Sequence, residues 1–240
     1  MMAKLGDALF HYRTMLSPLL LLLLLLPGPM LVTDPFVAAV AGLVVAGLGQ
    51  IIRAATIGLD YIVRGGRNHR VYADDLVTGG LFRHVRNPMY VGKFLLVLGA
   101  GIASNRWLSL LAICGAYGFM YHAIVLAEEA YLEQKFGVAF NEYRRSVPRW
   151  LPRLRGIAET LSGAQFAWQR VFLKEYSAPL GWALPIVLIG LYNMRAAGIS
   201  EEWPFGTAFL LSVLGLAVLL WIACGWIKKT RSPRFRLTDT

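Results

Sequence analysis

The sequence predicts an all-α polytopic membrane protein with about six transmembrane helices. Of its 240 residues, 57% are hydrophobic and only 16% are charged, and the mean hydropathy is +0.54, which is far more apolar than a soluble domain. The apolar residues fall into blocks close to the ~20 residues that a helix needs to cross a bilayer. We place the spans at residues 14–32, 36–57, 89–104, 107–127, 178–199 and 205–227.

The third of these segments is the shortest and the most interrupted. Lys93, Gly99 and Gly101 lie within it, and the polar sequence Ser104-Asn105-Arg106 separates it from the fourth segment. Polar interruptions are tolerated at membrane depth where neighbouring helices cover them. We therefore expect segments three and four to form a tight helical hairpin, in which the third need not cross the membrane independently.

The distribution of basic residues supports this layout. Six spans place all but three of the 24 lysines and arginines on one side, the exceptions being Lys93, Arg106 and Arg195. Lysine and arginine concentrate on the cytoplasmic side of membrane proteins. We therefore expect an integral protein, most simply of a bacterial inner membrane, with both termini in the cytoplasm. The net charge of +10 then reflects topology and contact with anionic membrane lipids, and not nucleic-acid binding.

Two local patterns suggest alternatives, and neighbouring residues argue against both. The first apolar segment begins like a secretory signal, but Pro27-Gly28-Pro29 stands where a small-residue cleavage site would follow, so we expect a retained span. Cys114 and Cys224 both lie inside apolar segments. They are expected to be small buried hydrophobes, and we predict neither a disulfide nor a metal site.

The chain divides into three regions by composition. Residues 1–57 hold the first two spans, residues 58–155 hold the hairpin and most polar motifs, and residues 156–240 hold an interfacial helix, a second hairpin and a basic tail. Within the second region, Glu128 to Arg145 has apolar residues at helical spacing and is expected to form an amphipathic cytoplasmic helix. The C-terminal hairpin has few polar residues, which favours a structural or oligomer-forming role.

A polar cluster at the start of the third segment is the first candidate for a site. Pro88 suits the first turn of a helix, and Asn87 is a plausible N-cap. The free amides of such a helix start can bind an anionic group. Tyr90 and the small Gly92 would leave room for a ligand against the backbone, although a capped helix entering the membrane would show much the same pattern.

The adjacent carboxylates Glu128 and Glu129 are the second candidate. At the end of a helix they oppose the helix dipole, so we expect a partner for them, such as a ligand with hydroxyl groups or positive charge. A solvated pair without function is the simpler alternative. His122, in the fourth span, is as consistent with core packing as with catalysis, and Lys93 is more typical of a side chain that extends toward the membrane surface.

These elements together resemble a known superfamily. The sequence from Arg86 to Gly92 resembles the R-[H/N]-P-x-Y-x-G motif of the isoprenylcysteine carboxyl methyltransferase and phospholipid methyltransferase superfamily of integral membrane enzymes. Glu128-Glu129 resembles its Glu pair, and Phe136-Gly137, Tyr143 and the segment 147–152 (Val-Pro-Arg-Trp-Leu-Pro) resemble the elements that follow. The similarity covers residues 76–153, with four elements in the same order.

The resemblance implies S-adenosylmethionine as methyl donor, S-adenosylhomocysteine as product, and a lipophilic acceptor that arrives from the bilayer. It implies that the donor is held at the cytoplasmic ends of the helices. The candidate catalytic residues are then His122, Glu129, Arg145 and Arg149. The candidate cofactor-binding residues are His84, Arg86, Asn87, Pro88, Tyr90, Gly92, Glu128, Glu129, Tyr143 and Pro152.

The acceptor is less well marked than the donor. Carboxyl O-methylation of an isoprenylated thiol compound and N-methylation of a phospholipid are both consistent with the motifs, and so is a non-enzymatic accessory or transport protein that keeps the fold. Many superfamily members have His where this chain has Asn87. Prenylcysteine enzymes resemble one another in having an arginine shortly before the Glu pair, whereas residues 123–127 (Ala-Ile-Val-Leu-Ala) contain none, which argues against a prenylcysteine carboxylate.

Overall fold

A computed structural model describes residues 2–60, 73–199 and 204–235, and the regular elements of these ranges are all helices. Part of the polar loop of the second region, residues 61–72, lies outside the described residues. Short 3-10 segments occur at Leu21–Leu25 and Gly80–Arg83. The α-helices are α1 Met2–Leu20, α2 Pro35–Leu59, α3 Pro88–Ala103, α4 Trp107–Phe136, α5 Val138–Ser146, α6 Ile157–Ser162, α7 Trp168–Glu175, α8 Ala178–Ala196 and α9 Pro204–Phe235.

The chain is an all-α integral membrane protein. Four helical stretches are long and apolar enough to span a bilayer, namely Lys4–Leu25, Pro35–Leu59, Trp107–Phe136 and Pro204–Lys229. A fifth span results if α7 and α8, which meet at a 52° bend, are counted as one broken crossing. Helix α3 has 16 residues and is ~24 Å long, which is shorter than the ~30 Å hydrocarbon core. The described helices thus give four or five spans and one short helix where the sequence predicted six spans.

Two predicted boundaries were wrong. Helix α1 begins at Met2, and its candidate span ends at Leu25, whereas we expected a span at residues 14–32. The polar residues near the N-terminus therefore belong to the first turns of the helix, and the chain leaves the helix before Pro27-Gly28-Pro29. The interfacial helix that we expected in the third region is divided into α6 and α7, and α7 continues through the bend into α8.

The predicted amphipathic helix from Glu128 to Arg145 is also not a separate element. Helix α4 continues past Glu128 to Phe136, and the break falls at Gly137, which has a φ of +50° that glycine adopts without steric cost. Helix α5 then ends at Ser146, just before the segment with Pro148 and Pro152. Glu128 and Glu129 consequently lie about two turns inside a continuous helix, and not at its end.

The predicted hairpin of α3 and α4 is confirmed. Asn105 adopts a left-handed conformation, with a φ of +54°, in the turn between the two helices. Its side chain pairs with the backbone of Val32, accepting from the amide and donating to the carbonyl at 3.0 Å each. Asparagine tolerates this conformation better than most residues, and the two bonds tie the turn to the segment between α1 and α2.

Helices α2 and α3 pack closely through small residues. Gly42 faces Gly99, and Gly49 faces Gly92, so that two pairs of glycines bring the antiparallel backbones together. Helix α1 packs on α4, while α8 contacts α2, α3 and α9. Close contact through small residues is the usual way in which membrane helices gain packing energy. This packing fixes the position of α3, whose first turns carry the candidate site.

Replacing Gly99 with alanine should destabilise this helix pair. The added methyl group would overlap the carbonyl oxygen of Gly42 and the backbone nitrogen of Ala46, and backbone atoms cannot move aside as side chains can. Overpacking of this kind costs about 1–3 kcal/mol, which a lower thermal unfolding temperature in detergent would reveal. Gly47→Ala is the matched control because a methyl group added there would meet nothing within 4 Å; equal effects of the two changes would contradict the packing argument.

Candidate functional site

The loop before α3 and the segment after α5 are joined by backbone hydrogen bonds. The amide of Arg86 donates to the carbonyl of Pro148 at 2.9 Å, and the amide of Arg153 donates to the carbonyl of His84 at 3.0 Å. The side-chain amide of Asn87 donates to the carbonyl of Arg149 at 3.2 Å. Two motifs that are about sixty residues apart in sequence therefore form one unit at the end of the bundle where α3 begins, which we call the site end.

His84 and Tyr143 stabilise this unit through hydrogen bonds. The two ring nitrogens of His84 contact the carbonyl of Arg153 and the hydroxyl of Thr160, both at 2.9 Å. Tyr143 donates to the carbonyl of Phe82 at 2.8 Å, and burial raises the pKa of its hydroxyl above the usual range, so it stays a donor. Both were expected to bind a cofactor, but in the structure both ring nitrogens of His84 and the hydroxyl hydrogen of Tyr143 are already engaged in hydrogen bonds.

Arg86, Glu129 and Arg149 form a compact ionic cluster. Glu129 Oε1 accepts from Nε of Arg86 and from Nε of Arg149, both at 3.1 Å, and its Oε2 accepts from Nη2 of Arg149 at 2.7 Å. Arg86 also donates to the carbonyls of Arg144 and Val147, at 2.7 and 3.2 Å. Glu129 is 8% exposed. Both oxygens of its carboxylate are therefore bonded to guanidinium groups, and Glu129 holds α4 against the segment after α5.

Glu128 has a different environment from its neighbour. Its Oε1 accepts a 2.7 Å hydrogen bond from the Tyr90 hydroxyl, while its Oε2 accepts none from a described residue. The Tyr90 ring lies 5.4 Å from the ring of Tyr121. The Lys93 ammonium lies over both rings, 5.4 Å from Tyr90 and 5.8 Å from Tyr121. Of the two adjacent carboxylates, Glu128 is thus the one with an oxygen available for a ligand.

The structure changes the interpretation of three residues at the helix start. Asn87 occupies the N-cap position of α3, but its side chain accepts no capping hydrogen bond, since it contacts Arg149 instead. Pro88 is buried in the first turn, as its ring geometry favours. The space that we expected for a ligand beside Gly92 is occupied: a Cβ there would meet Cγ of Arg53 at 2.6 Å and the Gly49 carbonyl oxygen at 2.8 Å.

The remaining candidates lie at the edge of the site. Arg145 is exposed on α5 and Pro152 is exposed in the segment that follows it. His122 is half-buried in α4, and its ring lies 6.2 Å from the ring of Trp150. His122 therefore neighbours the segment after α5. Arg145 makes no hydrogen bond or ion pair with a described residue.

The sequence analysis missed a buried ion pair close to the site. Arg53 of α2 forms a bidentate contact with Glu175 of α7, at 3.0 Å from Nε and 2.8 Å from Nη2, and Gln50 adds a hydrogen bond of 3.2 Å. Arg53 and Glu175 are 122 positions apart, so no local spacing could reveal them. A signal was nevertheless present, because an ionisable residue inside an apolar segment is rare and usually has a partner.

Comparison with known proteins matches a segment that contains most of the candidate site residues. Residues 36–139 match the family model described as phospholipid methyltransferase. The protein-S-isoprenylcysteine O-methyltransferase of Schizosaccharomyces pombe is 32% identical over 110 residues, which is 44% of this chain and 45% of the relative. The enzyme of the same name from Xenopus laevis is 27% identical over 124 residues, covering 50% of this chain and 42% of the relative. The nickel-cobalt-cadmium resistance protein NccN of Alcaligenes xylosoxydans xylosoxydans is 36% identical over 81 residues, covering 33% and 37%.

These matches and the motifs place the matched segment in the superfamily of integral membrane methyltransferases that includes the isoprenylcysteine carboxyl and phospholipid enzymes. The chain spans less than half the length of each of these three relatives. No solved structure gives a significant match. The matched segment contains the Tyr90–Glu128 contact and Glu129, whereas Arg149 and Glu175 lie beyond its end.

Proposed function

We propose that the chain is a membrane-embedded, S-adenosylmethionine-dependent methyltransferase that acts on a lipophilic acceptor. The observation that carries this proposal is the Glu128 carboxylate, which Tyr90 fixes at 2.7 Å while one of its oxygens accepts no hydrogen bond from a described residue. It lies beside the cluster of Arg86, Glu129 and Arg149. The family match supports a methyltransferase, and the residues of the site support its cofactor.

The residues at the site end fit this methyl donor. When bound, S-adenosylmethionine supplies a methyl group on a positively charged sulfonium. Glu128 Oε2 can accept hydrogen bonds from ribose hydroxyls or from the amino group of the methionine moiety. The rings of Tyr90 and Tyr121 offer aromatic faces, which attract a cation. Arg86 and Arg149 hold the loop before α3 and the segment after α5 on α4 through Glu129.

We further propose that the site end faces the cytoplasm. The support is the distribution of lysine and arginine, since the loops at this end carry most of the basic residues. A water-soluble methyl donor would then reach the site from the cytoplasm, and a lipophilic acceptor would enter from the bilayer. For a bacterial chain this membrane would be the inner membrane.

Removing the charge of Glu128 should weaken cofactor binding. Calorimetry of the purified protein with S-adenosylhomocysteine is expected to detect binding, and Glu128→Gln is expected to weaken it by about tenfold or more, because hydrogen bonds to a charged group contribute about 1.5–3 kcal/mol. Glu142→Gln is the matched control, since Glu142 is exposed on α5 and should bind like the wild type. Absence of binding by the wild type, or unchanged binding by Glu128→Gln, would refute the proposal.

The match to NccN keeps one alternative open, an accessory protein of a metal-resistance system. The described residues contain no group of three or more His, Cys, Asp or Glu side chains that could hold a metal ion. An accessory role predicts no binding of S-adenosylhomocysteine, so the same calorimetric experiment separates the two functions. N-methylation of a phospholipid is a version of the enzymatic proposal, and it differs only in the identity of the methyl acceptor.

A further inference from the structure

The non-helical segment between α5 and α6 exposes two large apolar side chains. Leu151 and Leu154 are 82% and 71% exposed. The backbone carbonyl of Arg149 and the backbone amide of Arg153 are both bonded to the loop before α3, so the segment is fixed while its leucines face outward. Exposed apolar side chains that are held in this way mark a surface that another molecule covers. We call residues 151–155 the leucine–arginine loop.

This loop lies at the depth of the membrane boundary. The ring of Trp150, which precedes the loop, is 6.2 Å from the ring of His122. His122 comes six residues before Glu128 on α4 and is therefore ~9 Å deeper in the bundle. Trp150 also packs against the main hydrophobic core. The chain thus turns back from α5 toward the bilayer before it reaches Leu151, and tryptophan is typical of this boundary.

Helix α7 exposes aromatic rings at the same end of the bundle. Trp168 and Phe172 are 63% and 54% exposed. The contact between Arg53 and Glu175 fixes α7 on α2, and α7 continues through the 52° bend into α8 as one candidate span. Because α7 begins a span, a soluble protein that covered these rings would have to enter the leaflet, whereas lipid already lies there. The covering molecule is therefore the bilayer surface.

The charges of this surface favour anionic lipids. Residues 147–174 contain five basic residues and one acidic residue, Glu159. Arg153 and Arg155 are exposed, and their side chains make no hydrogen bond or ion pair with a described residue. Since they alternate with Leu154 and follow Leu151, the guanidinium groups can reach lipid phosphates while the leucines enter the apolar layer. An anionic surface attracts each basic residue about fivefold more strongly than a neutral one.

We propose that the leucine–arginine loop binds an anionic lipid surface, and that this contact strengthens cofactor binding. The loop directly follows Arg149, which bonds to both oxygens of Glu129. Lipid that holds the loop therefore also holds the guanidinium group of Arg149 in the site. By linkage, anionic lipid and cofactor strengthen each other's binding. The effect on the cofactor rests on the proposed function, whereas the lipid contact does not.

Photolabelling in lipid nanodiscs tests the lipid contact. The probes are phosphatidylglycerol and phosphatidylcholine, each with the same diazirine group beside its head group. Digestion after glutamate releases peptide 143–159, which contains the loop, and peptide 134–142, which contains the exposed Val138. Phosphatidylglycerol is expected to label peptide 143–159 about fivefold more than phosphatidylcholine does. Neither probe should label peptide 134–142, because the end of α4 lies ~12 Å beyond Glu128 and away from the bilayer.

Exposed side chains allow variants that separate charge from apolar contact. Arg153→Gln combined with Arg155→Gln should lower labelling by phosphatidylglycerol to the level of phosphatidylcholine, while lysine at both positions keeps the charge and should keep most of the preference. Lys135→Gln removes a charge from the exposed end of α4 and should have no effect. Leu151→Ser combined with Leu154→Ser should reduce labelling by both lipids, because the apolar side chains that enter the leaflet are lost.

Three outcomes would overturn the lipid contact. They are equal labelling of peptide 143–159 by the two lipids, unchanged labelling of the double glutamine variant, and absence of labelling by either lipid. The last result would leave a soluble partner as the molecule that covers the loop.

Calorimetry with S-adenosylhomocysteine in nanodiscs with and without phosphatidylglycerol tests the effect on the cofactor. Anionic lipid is expected to tighten binding by the wild type about fivefold and to have no effect on the double glutamine variant. Equal affinities of the wild type in the two nanodiscs would refute the coupling. Labelling as expected, without cofactor binding in either nanodisc, would refute the proposed function and leave the lipid contact standing.

Discussion

Replacing Glu129 with alanine is expected to disrupt the site and to weaken S-adenosylhomocysteine binding severely. Glu129 connects Arg86 and Arg149, whose side chains are 10% and 33% exposed. Without the carboxylate, two neighbouring guanidinium groups would face each other with no counter-charge. Removing one partner of a buried ion pair typically costs about 3–5 kcal/mol. Glu129 of α4 holds Arg149 directly, and it also holds Arg86, which donates to the carbonyls of Arg144 and Val147. Once Glu129 is lost, the segment after α5 should therefore detach from α4.

Limited digestion with trypsin measures this detachment directly. Cleavage at Arg144, Arg145 and Arg149 should accelerate in Glu129→Ala while the helix content seen by circular dichroism is kept. Glu133→Ala is the matched control: it removes a surface ion pair with Arg144, in which the two side chains are 41% and 43% exposed. Such pairs contribute about 0–1 kcal/mol. Similar digestion rates and affinities for the two variants would show that the cluster does not hold the site together.

Replacing Glu175 with alanine is expected to lower the thermal stability of the whole bundle. Arg53 and Glu175 are 7% and 4% exposed, and the change would leave a guanidinium group buried without its carboxylate. We expect a cost of about 3–5 kcal/mol, seen as a lower unfolding temperature in detergent. Because Glu175 lies at the bend between α7 and α8, α8 should also lose its fixed position against α2.

A double variant distinguishes the ion pair from simple packing. Replacing a complete buried pair by apolar residues of similar size is often neutral or stabilising, so Arg53→Met combined with Glu175→Leu should recover most of the lost stability. Arg53→Met alone should be about as harmful as Glu175→Ala. If the double variant were as unstable as the sum of the single ones, the two side chains would act independently, and the pair would not be what attaches α7 to α2.

Local patterns were sufficient to predict a helical membrane protein and to indicate a candidate site, but not the number of spans or every helix boundary. Long apolar blocks and the distribution of basic residues predicted an all-α membrane protein, because each span must satisfy its own backbone hydrogen bonds in lipid. The short polar motif at Arg86 to Gly92 and the Glu pair marked the site, because charged residues at membrane depth are costly without a purpose. The boundary of α4 was predicted wrongly because an apolar helix can continue into the aqueous phase until a residue such as Gly137 ends it.

Two assignments depended entirely on tertiary contacts. The sequence alone singled out two adjacent carboxylates as candidate site residues. Only the folded structure showed that both oxygens of Glu129 bond to Arg86 and Arg149, while Glu128 bonds to Tyr90 through one oxygen and its other oxygen accepts no hydrogen bond from a described residue. Likewise, the sequence identifies Gly92 only as a small residue at a helix start, and Arg53 of the neighbouring helix occupies the space beside it. Adjacent residues on a helix point about 100° apart, so what each side chain meets is set by elements that are distant in the sequence.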